Sequence, residues 1–540
     1  MTPSTHLQEY KMRKRNRSLS PSRCLFGALV PTFILAAASP LALAGDAAAS
    51  TDMTASNEES RFHFDGYLRQ EISVNAKNWD DTPDYKDQGK VSMARSTIRL
   101  NVDFKASDAV SFSAKARASY EYETPFLSHL KSMGAYNYNN GKLMDLYKDI
   151  DLREWYADVK VNDRVKFRLG KQQIVWGETD FFVANDLAMG YDYTWRSFLE
   201  PANEELRKGS IAAKLNIDVP ELNGGIEAFL RPGWDRKRDM GTEIDIYGGR
   251  WSSQPYAGVD FRNIDPYAWN NSEADIHSKT GGVRWTGLAG DTNYSLSWMR
   301  TFYNAPILNS SMNPVGSGDA ASMGFAGDII YPIVNIFGAT ASRYSDMADA
   351  VFSAEVAYIK GAPYNYQAAS AMMLSQLIAP GFDGWRRKNV VASMIRMDKN
   401  FAFTQTLLGT EKPMFFSVQV FDKWIQNFDA DDGLLYSVGW GGKVKRHNAL
   451  VTTIFDLSYD NGRLHPQLVL GSDVTNGGGF YVPSVTFQLS KNLRWKIEYD
   501  GFWDSGHRPA GAVGVNQDNA TMFGYFHKRD QVYTSLTYQF

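Results

Sequence analysis

Segments in which apolar and polar residues strictly alternate recur along almost the whole of this 540-residue sequence. In RSTIRLNVDF (95–104), for example, Ile98 and Leu100 alternate with Thr97 and Arg99. Successive side chains of a β-strand point to opposite faces, so each such segment predicts a strand with one apolar face and one polar face. The chain is therefore expected to be all-β.

The alternation recurs in eighteen segments. The connections between these segments are alternately long loops and short turns. The predicted strands are 61–75, 91–105, 109–123, 151–161, 165–177, 208–218, 222–232, 276–287, 291–303, 331–344, 350–360, 389–399, 413–424, 446–459, 463–474, 480–490, 492–503 and 530–540. Turns such as KASD, VNDR and SKN follow the even-numbered strands, and long loops follow the odd-numbered ones. We predict a transmembrane antiparallel β-barrel of the Gram-negative outer membrane, with about 16–18 strands, short periplasmic turns and long extracellular loops.

The N-terminal residues indicate export. A basic stretch, KMRKRNRSLSPSR (11–23), precedes an apolar run that ends in Ala42-Leu43-Ala44, the A-x-A pattern of a secretory cleavage site. We predict a cleaved signal peptide at 1–44, a disordered periplasmic leader at 45–60 and a single barrel domain at 61–540, with both termini periplasmic. The only cysteine, Cys24, lies in the predicted signal peptide, so the mature chain would have no disulfide.

The last residues, VYTSLTYQF (532–540), alternate up to Phe540. A free, aromatic-ended edge strand invites aggregation, whereas in a closed barrel the last strand pairs with the first. We therefore predict that this strand closes the barrel. By resemblance to other outer-membrane proteins, Phe540 is expected to be the assembly signal that the barrel insertion machinery reads, and the exterior is expected to contact membrane lipid and lipopolysaccharide.

The charge balance and the motifs exclude several classes of function. The chain has 57 Lys and Arg against 60 Asp and Glu, and loss of the basic N-terminal stretch would leave it more acidic, so no nucleic-acid partner is expected. The eight His residues are scattered, and those after residue 44 include no pair at i, i+4 spacing for a metal. A GxSxG elbow is also missing. We predict neither an enzyme nor a metal or cofactor.

The lumen is the candidate functional region. A barrel of this size is wider than its own side chains can fill, so a water-filled or loop-plugged passage is expected. The inward faces carry both signs of charge in comparable numbers, which argues against a dedicated ion selector and favours pairing that braces the wall. The candidate transport residues are Arg69, Glu71, Arg99, Glu154, Arg168, Lys171, Gln172, Gln173, Trp176, Glu178 and Asp180.

The segment VKFRLGKQQIVWGETD (165–180) breaks the alternation after Leu169, because consecutive polar residues follow from Lys171. Such a break predicts a bulge or a strand end that turns into the lumen. RLGKQQIVWGETD resembles the signature of a proteobacterial family of outer-membrane barrels catalogued as a domain of unknown function, RLG(K/R)QQ followed by WGE(T/S)D. LEPANEELRKG (199–209) and YPIVNIFGATASRY (331–344) match further; FFVANDLAMGYDY (181–193) departs from the family's Asn-Pro-Leu-Asp element.

The resemblance implies an outer-membrane channel for small organic, hydrophobic or lipid-like compounds, partnered with an inner-membrane transporter of the resistance-nodulation-division (RND) type and a periplasmic carrier. The loop at 361–385 is unusually apolar for a surface loop. Its candidate plug or constriction residues are Met372, Met373, Leu374, Leu377 and Ile378; alternatively, they form a helix against the wall or at the lipid boundary. A general polar-solute or polysaccharide porin, an outer-membrane hydrolase and a structural or adhesive barrel are the alternatives.

Overall fold

A computed structural model describes residues 61–78, 86–132, 143–177, 179, 182–192, 195–200, 203–233, 279–304, 307–308, 329–366, 384–435, 442–506 and 521–540. The predicted signal peptide and leader, Glu178, Asp180 and the five candidate plug residues lie outside the described residues. Among the described residues, no helix is long and apolar enough to cross a membrane.

Eighteen strands form one closed antiparallel sheet in which each strand pairs with its neighbours in the chain. These are β1 (Phe62–Asn75), β2 (Val91–Lys105), β3 (Val110–Glu121), β4 (Lys148–Lys160), β5 (Val165–Gln172), β6 (Ser210–Val219), β7 (Gly224–Arg231), β8 (Thr280–Ala289), β9 (Thr292–Phe302), β12 (Ile333–Ser345), β13 (Ala350–Tyr366), β14 (Gly384–Phe401), β15 (Met414–Ile425), β16 (His447–Asp456), β17 (Leu464–Asp473), β18 (Gly479–Gln488), β19 (Leu493–Trp503) and β20 (Gln531–Gln539). A separate two-stranded ladder consists of β10 (Ile307–Leu308) and β11 (Ile329–Ile330). The predicted barrel and its strand number are confirmed.

In the part of the chain that the structure describes, four short α-helices lie between the strands. They are α1 (Pro125–Ser132), α2 (Asn203–Leu206), α3 (Phe403–Leu408) and α4 (Met522–Tyr525). Helix α1 buries Phe126, Leu127 and Leu130 against Tyr147 and Trp195. Helix α2 is the element that matters for the lumen, because it carries two glutamates to the wall.

The last strand closes the barrel against the first. Leu68 lies opposite Tyr538, and Ile72 lies opposite Thr534. Gly66 and Phe540 exchange two backbone hydrogen bonds, each of 3.1 Å. The predicted closure by the terminal strand is therefore present, and Phe62 and Phe540 lie at the short-turn end of the barrel. The role of Phe540 as an assembly signal stays a prediction.

The exterior is apolar where the sequence pattern predicts it. Exposed apolar side chains project outward from strands all round the barrel. They include Leu68, Ile98, Leu100, Phe112, Leu169, Leu230, Val283, Leu296, Phe337, Val356, Ile395, Val420, Ile497, Val532 and Leu536. Such a surface is stable against lipid and not against water, so the protein is an integral membrane barrel of the outer-membrane type.

Three strand ends differ from their predicted positions by five residues or more. β13 continues to Tyr366 and β14 begins at Gly384, so residues 361–366 and 384–388, which were predicted as loop, belong to strands. The ladder continues because a bulge between Ile359 and Ala362 absorbs Gly361, whose φ of 77° suits glycine. β5 ends at Gln172, five residues earlier than predicted, because the chain leaves the wall there.

Candidate functional site

The described residues between β5 and β6 (173–177, 179, 182–192, 195–200 and 203–209) fold into the lumen and are called here the inward loop. Its first part, residues 173–192, packs mainly on apolar wall residues and is the apolar half. Its second part, residues 195–209, carries most of the charges and is the ionic half. The predicted turn into the lumen after Lys171 is thus observed.

Helix α2 presents two glutamates to the wall formed by β1, β2 and β3. Glu205 accepts hydrogen bonds from Tyr67 Oη at 2.7 Å, Arg99 Nη1 at 3.1 Å and Arg117 Nη1 at 3.0 Å. Glu204 accepts from Arg99 Nη2 at 2.5 Å, and its side chain is 44% exposed, whereas that of Glu205 is buried. Glu205 is therefore the anchor of this helix.

The carboxyl group of Glu205 stays ionised over a wide pH range. Burial raises its pKa, but the charges of Arg117 and Arg99 and the Tyr67 hydrogen bond lower it more, to about 2 from an ordinary value of 4.5. A carboxylate surrounded by cations and donors behaves this way because those partners stabilise the charged form. The anchor therefore keeps its charge at any pH above about 4.5.

A bulge in β4 positions a further clamp on α2. The register of β3 against β4 shifts between Lys115 and Ala116, which leaves Arg153 unpaired in the ladder. Arg153 Nη2 donates to the carbonyl oxygens of Glu204 at 2.9 Å and Arg207 at 2.7 Å. A cation at the C-terminal end of a helix satisfies carbonyls that the helix itself leaves free.

Arg196 anchors the ionic half to the last two strands. Its guanidinium pairs with Glu498 at 2.7 Å and Asp500 at 3.0 Å on β19, and its Cζ lies 3.7 Å from the centroid of the Tyr533 ring on β20. All of these side chains are buried. A buried arginine with two carboxylates and an aromatic face is held tightly, since removing it would leave buried Asp500 without its cation, whereas Glu498 would keep Lys496.

A third anchor links the loop to β2 through Glu200. Arg95 Nη1 lies 2.7 Å from Glu200, and the other side of the same guanidinium makes a bidentate pair with Glu71, with both distances 2.7 Å. Tyr533 donates to Glu71 at 2.8 Å. Glu71 and Arg95 thus join the first strands, the last strand and the inward loop.

The two halves of the loop meet at an ion pair. Arg207 donates to Asp186 through Nε at 3.1 Å and Nη2 at 2.5 Å, and Tyr191 donates to the same Asp186 oxygen at 2.6 Å. Gln173 accepts from Arg207 at 3.2 Å. This contact fixes the end of the loop against its beginning.

The apolar half packs on the opposite wall. Ile174, Trp176, Leu187 and Met189 join one cluster with side chains of β6, β7, β9 and β12 to β15. The Trp176 ring meets Phe229 edge to face, with centroids 5.2 Å apart, and its Nε1 donates to Glu227. Phe182 and Ala184 continue this packing along β14 to β16.

A cavity of about 350 Å³ lies between Trp176 and the short-turn end of β7 to β9. Its lining is mixed. It includes Trp176, Tyr294, Leu288, Arg284, Asn293 and Thr340. Arg284 lies over the Trp176 ring, 5.5 Å from its centroid. An aromatic wall beside one cation and several amides and hydroxyls suits a small organic molecule with a polar or anionic group.

The structure distributes the predicted transport residues among several contacts. Glu71, Arg99, Gln173 and Trp176 touch or belong to the inward loop as described above. The others brace the wall or adjoin it: Arg168 pairs bidentately with Asp158, Lys171 with Asp151 and Glu154 with Lys115, while Arg69 donates to Thr537 and Gln172 to the carbonyl of Ala212. Their role in transport stays a prediction.

Sequence reasoning missed the most connected residues of the site. Arg153, Asp186, Arg196, Glu200, Glu204, Glu205 and Arg207 were not among the candidates. The available signal was LEPANEELRKG (199–209), whose dense opposite charges have no place on an alternating strand. In the part of the chain that the structure describes, no group of three His, Cys, Asp or Glu side chains is placed to hold a metal ion.

Solved porin structures resemble this chain at low sequence identity. OmpF of Salmonella typhi in complex with daunomycin is 8% identical over 89% of this chain and 97% of that chain, with a TM-score of 0.40. OccK1 (OpdK) of Pseudomonas aeruginosa is 9% identical over 89% and 98%, with a TM-score of 0.43. The anion-selective porin of Comamonas acidovorans is 9% identical over 89% and 99%, with a TM-score of 0.36.

A search of the curated proteins finds no match. One family model, described as "Protein of unknown function (DUF1302)", matches residues 30–540. This agrees with the resemblance to a family of unknown function that the sequence motifs indicated. Because the match spans most of the chain, the protein belongs to the DUF1302 family.

Proposed function

We propose that the protein is an outer-membrane channel for small organic compounds, with a permeability set by the inward loop. The observation that carries this proposal is the loop itself, which enters the lumen after β5 and is anchored to walls on both sides of it. A barrel that served only as a scaffold would not need a passage narrowed in this way. The long loops face outward and the termini face the periplasm.

The cavity beside Trp176 supports an organic substrate. Its aromatic and cationic lining offers both stacking and charge to a small molecule that has passed the loop. We propose transport and not catalysis, because the charged groups around the loop are committed to ion pairs that hold it. Cooperation with an RND-type inner-membrane transporter and a periplasmic carrier remains part of the proposal.

A polar-solute porin is the second candidate. The short-turn end of the lumen favours it, because the wall there carries polar and charged side chains such as Asp65, Asn101, Lys115 and Lys496. The two candidates differ in what crosses the inward loop. The hydrophobic-cargo version predicts that an aromatic solute passes faster than a sugar of similar size.

Conductance in planar bilayers and solute flux into liposomes test the proposal. We expect a small conductance for the native protein and a severalfold increase for the Arg196→Ala/Glu205→Gln double variant, which loses two anchors. The matched control is Arg494→Ala, which removes a lumen-side cation of β19. Liposomes that stay impermeable with both the native protein and the double variant would overturn the channel.

Deletion of Phe540 tests the assembly prediction separately. We expect less folded, heat-modifiable barrel in the outer-membrane fraction, because the terminal aromatic residue is the proposed signal for the insertion machinery. The experiment compares this deletion with a Phe62→Ala variant, which removes an aromatic residue at the same end of the barrel. Equal amounts of folded barrel in the deletion and the native protein would contradict the prediction.

A further inference from the structure

A row of aromatic side chains crosses the outer surface of β9, β12 and β13. Trp298 lies opposite Phe337, which lies opposite Tyr358. The ring centroids of Phe337 and Tyr358 are 6.4 Å apart, and Trp298 and Phe337 are exposed. Aromatic girdles mark the depth at which a barrel passes from hydrocarbon to headgroups. This row lies towards the long-loop end of the strands.

The next outward row on the same strands is cationic. Arg300 and Lys360 flank Asn335 in the ladder, and both cations are exposed. Arg387 of β14 reaches the same place, since its Nη1 donates to the carbonyl of Gly361 at 3.0 Å. Arg300, Asn335, Lys360 and Arg387 are called here the cationic patch. It begins where the apolar exterior ends.

The described outward strand faces around Arg300 and Lys360 carry no acidic residue. The outward faces of β9, β12, β13 and β14 hold no Asp or Glu within their described bounds. Among the described residues, Arg300 and Lys360 form no ion pair. Exposed cations next to the headgroup level of a membrane attract anionic headgroups, and guanidinium groups bind phosphate oxygens with two parallel hydrogen bonds.

We propose that the cationic patch binds a phosphate group of lipopolysaccharide in the outer leaflet. The aromatic row below it would contact the acyl chains, while Arg300 and Lys360 contact the phosphate and the Asn335 amide donates to it. This inference rests on the membrane orientation in the proposed function and is independent of channel activity. It assigns a lipid site to a surface on the opposite side of the wall from the lumen.

Binding of lipid A to the full-length mature protein in detergent micelles tests the site. Native mass spectrometry would compare bisphosphorylated lipid A with fully dephosphorylated lipid A. For Arg300→Ala/Lys360→Ala we expect the affinity for bisphosphorylated lipid A to fall about thirtyfold, if each cation contributes the amount typical of a basic residue at an anionic lipid surface. The native protein should bind dephosphorylated lipid A about as weakly as the double variant binds bisphosphorylated lipid A.

The control is Arg343→Ala, an outward arginine of β12 near its short-turn end. It should leave binding unchanged because that end faces the inner leaflet. Excess inorganic phosphate should displace little lipid, since the acyl chains contribute to binding. Equal affinity of the double variant and the native protein, or a loss confined to Arg343→Ala, would overturn the proposal. Conductance of the double variant should stay native, which separates this site from the channel.

Discussion

The two halves of the inward loop occupy the same lumen but are held by different forces. The apolar half lies against a wall of aliphatic and aromatic side chains around Trp176 and Phe229. The ionic half also buries Phe198 and Leu199, but its firmest contacts are the ion pairs of Arg196 and Glu205. The wall differs correspondingly, because β1 to β4 and β19 supply charges where β7 to β15 supply apolar groups.

This difference indicates which half of the inward loop can be detached from the barrel wall by a change in pH or by mutation of an ion pair. Hydrophobic contacts do not respond to pH or salt in the ordinary range, whereas ion pairs respond to both according to their burial. The apolar half is therefore expected to stay in place when the ionic half is released by a mutation or by acid. Substitutions in each half of the loop and a pH titration test this difference.

Arg196→Ala should have the largest effect. It removes the cation beside buried Asp500 and one of the two cations beside buried Glu498, which keeps Lys496, and breaking a buried pair typically destabilises by about 3–5 kcal/mol. Urea unfolding in micelles measures the free energy of unfolding, and planar bilayers measure the expected increase in conductance. Arg494→Ala, on the same strand, should change the free energy of unfolding by less than about 0.5 kcal/mol. Equal free energies of unfolding for Arg196→Ala and Arg494→Ala would show that Arg196 does not anchor the loop.

Trp176→Ala tests the apolar half. The loss of a buried tryptophan should cost about 3 kcal/mol, because it leaves a void against Phe229 and removes the donor to Glu227. The change in conductance should be the same at low and high salt. The comparison variant is Trp155→Ala on the exterior, which should keep the native conductance. A salt-dependent effect of Trp176→Ala would contradict the division into two halves.

Acid should release the ionic half through Glu205. Its pKa is lowered to about 2 from 4.5, so the stability that its charge contributes is fully present above about pH 4.5 and is lost as the pH falls through about 2. Conductance should therefore rise between pH 4.5 and 2. Glu205→Gln should be destabilised at pH 7 and should lack this part of the acid transition. An identical acid transition in the variant would place its origin elsewhere.

Glu204→Gln should have the smallest effect. Its side chain is 44% exposed, so its pairs with Arg99 and Lys115 are screened by water and salt. We expect a loss of less than about 1 kcal/mol that disappears in high salt. Urea unfolding at two salt concentrations, with Glu205→Gln in parallel, measures the difference. If Glu204→Gln lowered the free energy of unfolding as much as Glu205→Gln does, burial would not determine how much each glutamate contributes to stability.

The wall of the barrel could be predicted from the sequence because its signal is local. Each strand shows its two faces in its own residues, as RSTIRLNVDF does, and β20 shows its closing role by alternating to the end. The ends of β5, β13 and β14 were less predictable, because Gly361 and the turn after Gln172 depend on how neighbouring strands bulge.

The interior was less predictable because its contacts join residues far apart in the chain. Arg196 meets Glu498 and Asp500 across about three hundred positions, and no periodicity connects them. The break after Leu169 indicated that the chain enters the lumen but not where it is anchored. The candidate constriction at 361–385 lies mostly outside the described residues, and its role stays a prediction.

The anchors of Arg196 and Glu205 have a consequence for biogenesis. The loop lies between β5 and β6, but its seat is built from β1 to β3 at the beginning of the barrel and from β19 and β20 at its end. The binding surface for the ionic half is therefore complete only when β20 has paired with β1. In a nascent sheet whose edges have not yet paired, the inward loop would be accessible to proteases, so the time at which it becomes protected would report when the barrel closes.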